Sequence, residues 1–156
     1  MRYSQGSVGR IFALKLESGD RLPDSVVEFA RKHDISSAMV MYVGGADATS
    51  RLVVGPEADA GDRVVPIVHL LGGIQETVAM GTLFPDEEGN PELHMHAATG
   101  REGQATVGCV RAGVDVWLIG EVIILEIIGT SGVRKIDPQT GFHLLDFSPE
   151  GMGPGE

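Results

Sequence analysis

One helix pattern near the start of the chain, followed by many strand patterns, is the feature that most constrains the fold. The helical spacing covers Pro23 to Lys32, where Val26, Phe29 and Ala30 are placed to lie on one face. Pro23 early in the segment and the acidic Asp24 in its first turn suit a helix start. The segment therefore predicts one amphipathic helix.

Most of the remaining chain alternates apolar and polar residues or consists of short apolar runs, as strands do. The longest such run is rich in β-branched residues and is interrupted by Gly120-Glu121, and the second strand is expected to stop at Gly44-Gly45. The last segment predicts a closing strand with a turn at 137–141. The predicted strands are Arg10 to Leu16, Ser37 to Val43, Arg51 to Val54, Val64 to Leu71, Glu76 to Leu83, Leu93 to Ala98, Thr106 to Cys109, Val114 to Ile128 and Arg134 to Phe147.

This order of elements predicts an α+β fold with a strongly curved, mainly antiparallel sheet and one major N-terminal helix covering one side. Several of the 22 glycines lie in or beside predicted strands, where bends and bulges occur. The 156 residues suit one domain, and residues 148–156, with three glycines and two prolines, are expected to be a disordered tail.

Charge and hydropathy exclude several classes of function. Twelve basic against 22 acidic residues give a formal net charge of −10, which disfavours direct binding to a phosphate backbone. The sequence has no apolar run long enough to span a membrane, and its first residues lack the pattern of a secretory signal, so a cytoplasmic location is expected. A single cysteine cannot form an internal disulfide.

The residues with the clearest chemical potential are His94 and His96, followed thirteen residues later by Cys109. In a strand, alternate side chains share a face, so both imidazoles would point the same way, and a thiolate from the next strand could supply a third zinc ligand. Two alternatives stay open. The histidine pair could be accidental in a chain with five histidines, and Cys109 could be a buried small hydrophobic residue.

Six short motifs together resemble the plants and prokaryotes conserved (PPC) domain in order and spacing. The resemblance spans about Tyr3 to Phe147, so residues 3–147 are expected to form a PPC-like domain. The motifs are Gly9-Arg10, Gly19-Asp20, Gly44-Gly45-Ala46, Leu93-His94-Met95-His96, Val107-Gly108-Cys109-Val110 and Gly120-Glu121-Val122-Ile123.

The resemblance implies a homotrimer and, in several prokaryotic members, zinc bound by histidines near the subunit contacts. His94 and His96 match the family's His-x-His pattern, whereas Cys109 stands where a third histidine is usual. Cysteine is itself a good zinc ligand, so the change either keeps a softer site or marks a member without metal. Glu76 lies where the family often has a glutamate, and it is a weak candidate for a general base.

Three classes of function remain. The first is a metal-binding trimeric assembly module with a regulatory or DNA-associated role, whose partner is an unidentified protein or small molecule. The second is a zinc enzyme with an open metal position, similar in fold to acetolactate decarboxylase. The third, direct DNA binding, is suggested by the family's naming, but this sequence lacks the Arg-Gly-Arg-Pro AT-hook core. Arg111 could bind an anion near the site, whereas His69 and His143 are not expected to be ligands.

Overall fold

The described residues form one large antiparallel sheet, one helix and a hairpin near the C-terminus. The structure is a computed structural model that describes residues 1–58 and 64–147. Within these residues the sheet has nine strands, in the order β1, β9, β3, β6, β7, β8, β4, β5, with the short β2 also paired to β9. The elements are β1 (Ser7–Glu17), β2 (Arg21–Leu22), α1 (Asp24–Lys32), β3 (Ala38–Ala46), β4 (Arg51–Pro56), β5 (Pro66–Leu70), β6 (Gln75–Pro85), β7 (Pro91–Arg101), β8 (Gln104–Cys109), a 3₁₀ turn (Val110–Ala112), β9 (Val114–Ile128), β10 (Gly132–Ile136) and β11 (His143–Phe147).

The prediction of a mainly antiparallel sheet with one helix is confirmed. Helix α1 starts at Asp24, directly after Pro23, and has basic residues in its last turn, which suits the helix dipole. Its buried residues, Val26 and Ala30, are one turn apart and pack into the core. The helix therefore covers one face of the sheet, whereas the opposite face, called the uncovered face below, has no helix of the described residues on it.

Strand β7 separates these two faces residue by residue. Met95, Ala97 and Thr99 are buried on the helix side, whereas His94 and His96 are exposed on the opposite face. The alternation places the histidines away from the main core. The largest fully buried core side chains are Leu22, Ile35, Leu52, Leu83, Met95 and Ile124.

The prediction that the second strand stops at Gly44-Gly45 is wrong. Strand β3 continues to Ala46, and its pairing with β9 shifts register between Gly44 and Gly45. A Cβ atom on Gly45 would lie 2.6 Å from the carbonyl oxygen of Trp117, so glycine permits the close approach of the two strands. Opposite this point, Leu118 has φ of 63°, and β9 runs through Gly120-Glu121 without ending. The glycines mark a bulge here, not a boundary.

The last described segment is a hairpin with its own two-stranded sheet. The predicted turn is present, because the Gly141 amide donates to the Asp137 carbonyl at 2.7 Å and Gly141 has φ of 72°. The predicted closing strand, Arg134 to Phe147, is instead two strands, since β10 and β11 pair with each other in a separate sheet. The hairpin is attached to β6 and β7 by the buried Arg134, which donates to the carbonyl oxygens of Thr82 and Glu92.

Two expectations concern the ends of the chain and the membrane. The disordered tail predicted for 148–156 lies outside the described residues. Of the helices in the described part of the chain, none is both long and apolar enough to cross a membrane.

Candidate metal centre

The structure brings His94, His96 and Cys109 together. One possible ligand atom from each side chain lies within 4.8 Å of the other two. The Nε2 atoms of His94 and His96 are 3.2 Å apart, and Cys109 lies opposite His96 in the β7–β8 ladder. Both imidazoles are exposed, whereas Cys109 is only 6% exposed. The cluster therefore lies at the uncovered face, and Cys109 is its most deeply buried member.

The β7–β8 turn explains why Cys109 faces His96. The strands are joined by Glu102 and Gly103, both with positive φ, of 53° and 77°. Such a two-residue turn pairs Arg101 with Gln104, and counting outward from that pair places His96 opposite Cys109. The spacing of thirteen residues thus follows from the position of the turn. In the sequence, Gly103 is the residue that indicates the position of this turn and hence the pairing of β7 with β8.

The surroundings of His94 favour its neutral form. Burial lowers its pKa from the ordinary value of 6.5, and the nearby positive charge of Arg134, followed by those of His96 and Arg111, acts in the same direction. Glu92 has a smaller, opposite effect on the pKa. A neutral imidazole is the form that can donate a lone pair to a metal ion.

The structure does not bring Glu76 to this cluster. Glu76 is on β6, four residues before Met80, which is the residue paired with His96. At the rise of a strand, that separation is about 13 Å along β6. The carboxylate of Glu92, two residues before His94 on β7, is nearer to the cluster.

Sequence reasoning missed Glu92 and Arg134 and set His143 aside. His143 Nδ1 lies 2.7 Å from Glu92 Oε2, and all three residues line the same cavity as His94. The signal for Glu92 was its place in the alternation Glu92-Leu93-His94-Met95-His96, which puts it on the face of the histidines. The signal for Arg134 and His143 was absent, because both come from the hairpin and reach the site only by tertiary packing.

Two cavities adjoin the cluster. The larger, of about 780 Å³, is lined by both His94 and Cys109, and the smaller, of about 340 Å³, by His96 and Cys109. Arg111, from the 3₁₀ turn, borders both, as does Phe142. A metal ion held by the three side chains would therefore have space for a further ligand on either side.

The donor set fits zinc. Two imidazole nitrogens and one thiolate are ordinary zinc ligands, and three protein ligands leave a fourth tetrahedral position. Ligand atoms around tetrahedral zinc lie about 3.3–3.8 Å from one another, and the two histidine nitrogens are already 3.2 Å apart. Two facing imidazole nitrogens need either a proton or a cation between them.

The family comparison covers most of the chain. A model of the Plants and Prokaryotes Conserved (PCC) domain, the domain abbreviated PPC above, matches residues 3–128. No curated protein matches the sequence significantly. The match ends with β9, before the hairpin that carries Arg134 and His143.

Three solved structures have the same fold at low sequence identity. A PPC protein of Pyrococcus horikoshii has a TM-score of 0.80 and 22% identity, covering 94% of this chain and 97% of its own. A metal-containing protein of Archaeoglobus fulgidus has a TM-score of 0.77 and 24% identity, covering 92% and 98%. A protein of Bacteroides thetaiotaomicron, named as a proposed DNA-binding protein, has a TM-score of 0.73 and 16% identity, covering 91% and 97%.

Proposed function

Because this chain belongs to the Plants and Prokaryotes Conserved domain family, we propose that it is a zinc-binding, homotrimeric assembly module of that family. The observation that carries the metal part of the proposal is the convergence of His94, His96 and Cys109 within 4.8 Å. The related fold of a metal-containing archaeal protein supports it. In this module the three side chains hold the ion, and its main role is to stabilise the assembly.

Cysteine in place of a third histidine changes the character of the site without removing a ligand. A thiolate is softer than imidazole and contributes one negative charge, so a Cys-His-His set favours zinc over magnesium or calcium. Cys109 is buried and free of disulfide bonds. It nevertheless lines both cavities.

The first test is the metal content of the untagged protein, purified without chelator or added metal. We expect about one zinc per chain in the wild type and almost none in His94→Ala or His96→Ala, because each variant leaves only two protein ligands. His69→Ala is the matched control. His69 is on β5, where it pairs with Leu52 of β4, and it is not part of the cluster. Unchanged zinc in both site variants would refute the proposal.

The uncovered face of the sheet supports self-association. Val43 and Val78 are paired across β3 and β6, and Met80 pairs with His96 on the same face. These three side chains are 52%, 58% and 58% exposed. An apolar surface of this kind beside the histidines suits a contact between subunits.

A second candidate is a zinc enzyme acting on a small molecule. The observation that favours it is the cavity of about 780 Å³, which His94 and Cys109 share with the carboxylate of Glu92. A zinc ion with an open position polarises a carbonyl group or activates water. Glu92 lines this cavity, whereas Glu76 does not, so Glu92 is the better candidate for a proton acceptor.

Direct DNA binding is the weakest candidate. Some structural neighbours are named as proposed DNA-binding proteins. However, the net charge of −10 opposes binding to phosphates. If the trimer associates with DNA, we propose that a partner protein makes the contact with the DNA.

We also propose that residues 3–147 form a single domain with a strongly curved sheet. The contacts of Arg134 with Thr82 and Glu92 attach the hairpin to the main sheet. Register shifts in β1, β3 and β4 are places where an antiparallel sheet bends.

A further inference from the structure

Arg134 is a buried cation that forms no ion pair with a carboxylate in the described part of the chain. It is 3% exposed and donates hydrogen bonds to the Thr82 carbonyl and hydroxyl, both at 3.0 Å, and to the Glu92 carbonyl at 3.4 Å. All three acceptors are neutral. None of the ion pairs found among residues 1–58 and 64–147 includes Arg134. A guanidinium taken out of water is costly unless a negative group compensates it.

A second arginine borders the same cavity. The guanidinium carbon of Arg111 lies 5.4 Å from the centre of the Phe142 ring, and this side chain also takes part in no ion pair within the described residues. Stacking on an aromatic ring holds a guanidinium plane in place while leaving its N–H groups free. The cavity therefore has two positively charged groups available.

Among the residues that the structure describes, Glu92 is the one carboxylate that lines this cavity, and it does not cancel both charges. Glu92 directs Oε2 to His143 Nδ1 at 2.7 Å. The cavity is thus a positive region in a chain whose net charge is −10. Such a local reversal of sign concentrates anions at one place.

The size and walls of the cavity indicate the kind of anion. Its volume of about 780 Å³ is in the range of small-molecule sites, and Leu93, Phe142, Leu144 and Leu145 supply apolar surface. Arginine pairs with a carboxylate through two parallel hydrogen bonds. An apolar wall beside two arginines suits a molecule with one charged and one apolar end.

From these observations we propose that the cavity binds a small organic acid, with its carboxylate held by Arg134 and Arg111 and its apolar part against the hairpin. His94 and Cys109 line the same cavity, so the bound acid also reaches the open position of the proposed metal. The proposal rests on the proposed function only for that last contact. Residues 132–147 form this wall and lie beyond the family match at 3–128.

The test uses phenylacetate as the probe, with phenylacetamide as its neutral counterpart, in calorimetric titrations of the zinc-loaded full-length protein. We expect saturable millimolar or tighter binding of phenylacetate and at least about tenfold weaker binding of phenylacetamide, since charge-assisted hydrogen bonds are lost. Arg111→Gln should weaken phenylacetate binding about tenfold or more. Arg101→Gln is the matched control, because Arg101 is an exposed arginine beside Glu102 that does not line the cavity.

Arg134→Lys serves as the second variant, because it keeps a positive charge at this buried position and is therefore expected to fold. It should bind phenylacetate at least several-fold more weakly, since an ammonium group cannot keep the contacts with Thr82 and Glu92 and also donate to the bound carboxylate. Inorganic phosphate is a competitor, and displacement of phenylacetate by equimolar phosphate would overturn the assignment to organic acids. Absence of phenylacetate binding, or equal binding in Arg111→Gln, would also overturn it.

Metal content separates this inference from the proposed function. If zinc is bound but phenylacetate is not, the acid site is refuted and the metal proposal stands. If the protein takes up no stoichiometric zinc but still binds phenylacetate, the acid site stands and the metal proposal fails.

Discussion

At the scale of single residues, Cys109 is decisive, because it stands where the family resemblance implies a third histidine. Cys109 is almost fully buried, lies opposite His96 and, together with His94 and His96, offers three possible metal-ligand atoms. A buried cysteine in such a place is either packing or ligation, and the two roles respond differently to mutation.

Two variants of Cys109 separate these roles. Cys109→Ser keeps the size but removes the soft ligand, so we expect zinc affinity to fall about tenfold or more, which corresponds to about 1.4 kcal/mol. Cys109→His restores the family's usual ligand and should retain zinc. Competition with a chromogenic zinc chelator measures both affinities. If Cys109→Ser retains wild-type affinity, Cys109 is merely packed.

At the scale of elements, the turn between β7 and β8 determines which side chains meet. Neighbouring residues of a strand point to opposite faces of the sheet. If the β7–β8 pairing shifted by one residue, His96 would therefore face a residue next to Cys109, and Cys109 itself would no longer lie opposite it. The site therefore depends on the two-residue length of Glu102-Gly103 as much as on its ligands.

Insertion of one glycine after Gly103 tests this dependence. We expect zinc content to fall well below half of the wild-type value, while far-ultraviolet circular dichroism keeps its strand signal. The control is one glycine inserted after Glu88, in the loop between β6 and β7, where the chain is outside the ladder. That protein should keep its zinc, and zinc retention in both proteins would contradict the role given to the turn.

The β1–β9 pair contains an ion pair between Arg10 and Glu126. Arg10 donates through Nε and Nη2 to the two oxygens of Glu126, at 2.8 and 2.6 Å, and its backbone amide donates to the same carboxylate. These hydrogen bonds lower the pKa of Glu126 from 4.5 to about 2. Gly9 permits this arrangement, since a Cβ atom there would lie 2.7 Å from Glu126 Oε2.

This pKa shift predicts how stability depends on pH. A carboxylate with a lowered pKa in the folded state stabilises the fold fully above about pH 4.5 and loses that contribution as the pH falls to about 2. Glu126→Gln should therefore have a lower melting temperature than the wild type at pH 7. The difference should close between pH 4.5 and 2, as measured by thermal unfolding in a pH series. A difference that is constant over this window would argue against the ion pair as its cause.

At the scale of the whole molecule, the two faces of the sheet differ in how much of their apolar surface is buried. One is covered by α1 and forms the core, whereas the other exposes Val43, Val78 and Met80 beside the histidines. The proposed trimer would bury this apolar surface and bring the metal centres near the subunit contacts.

A charge placed on the uncovered face tests the assembly. We expect the wild type to sediment at the mass of about three chains. In Val78→Glu the protein concentration at which half of the trimer is dissociated should rise at least about tenfold, because burying an unpaired carboxylate is unfavourable. Ile136→Glu, on the exposed side of the hairpin, is the control and should remain assembled. A wild-type monomer at micromolar concentration would contradict the trimer.

Local patterns were enough to predict most elements. The helix at 24–32 and the long strand Val114–Ile128 follow from spacing and β-branched composition, and the histidine pair follows from strand alternation. The error at Gly44-Gly45 arose because glycine serves both to end strands and to let strands approach closely. Only the position of Trp117 on the neighbouring strand distinguishes these uses.

The sequence by itself determined the helix at 24–32, the strands, and a resemblance whose family is confirmed, because these depend on residues near one another in the chain. The tertiary structure decided which groups share the site. Cys109 reaches His96 through the register of a hairpin, and Arg134 and His143 reach the cavity because a C-terminal hairpin packs against β6 and β7. Contacts between residues about 40 to 50 positions apart leave no local period in a sequence, and they exist only once the sheet has brought the chain together.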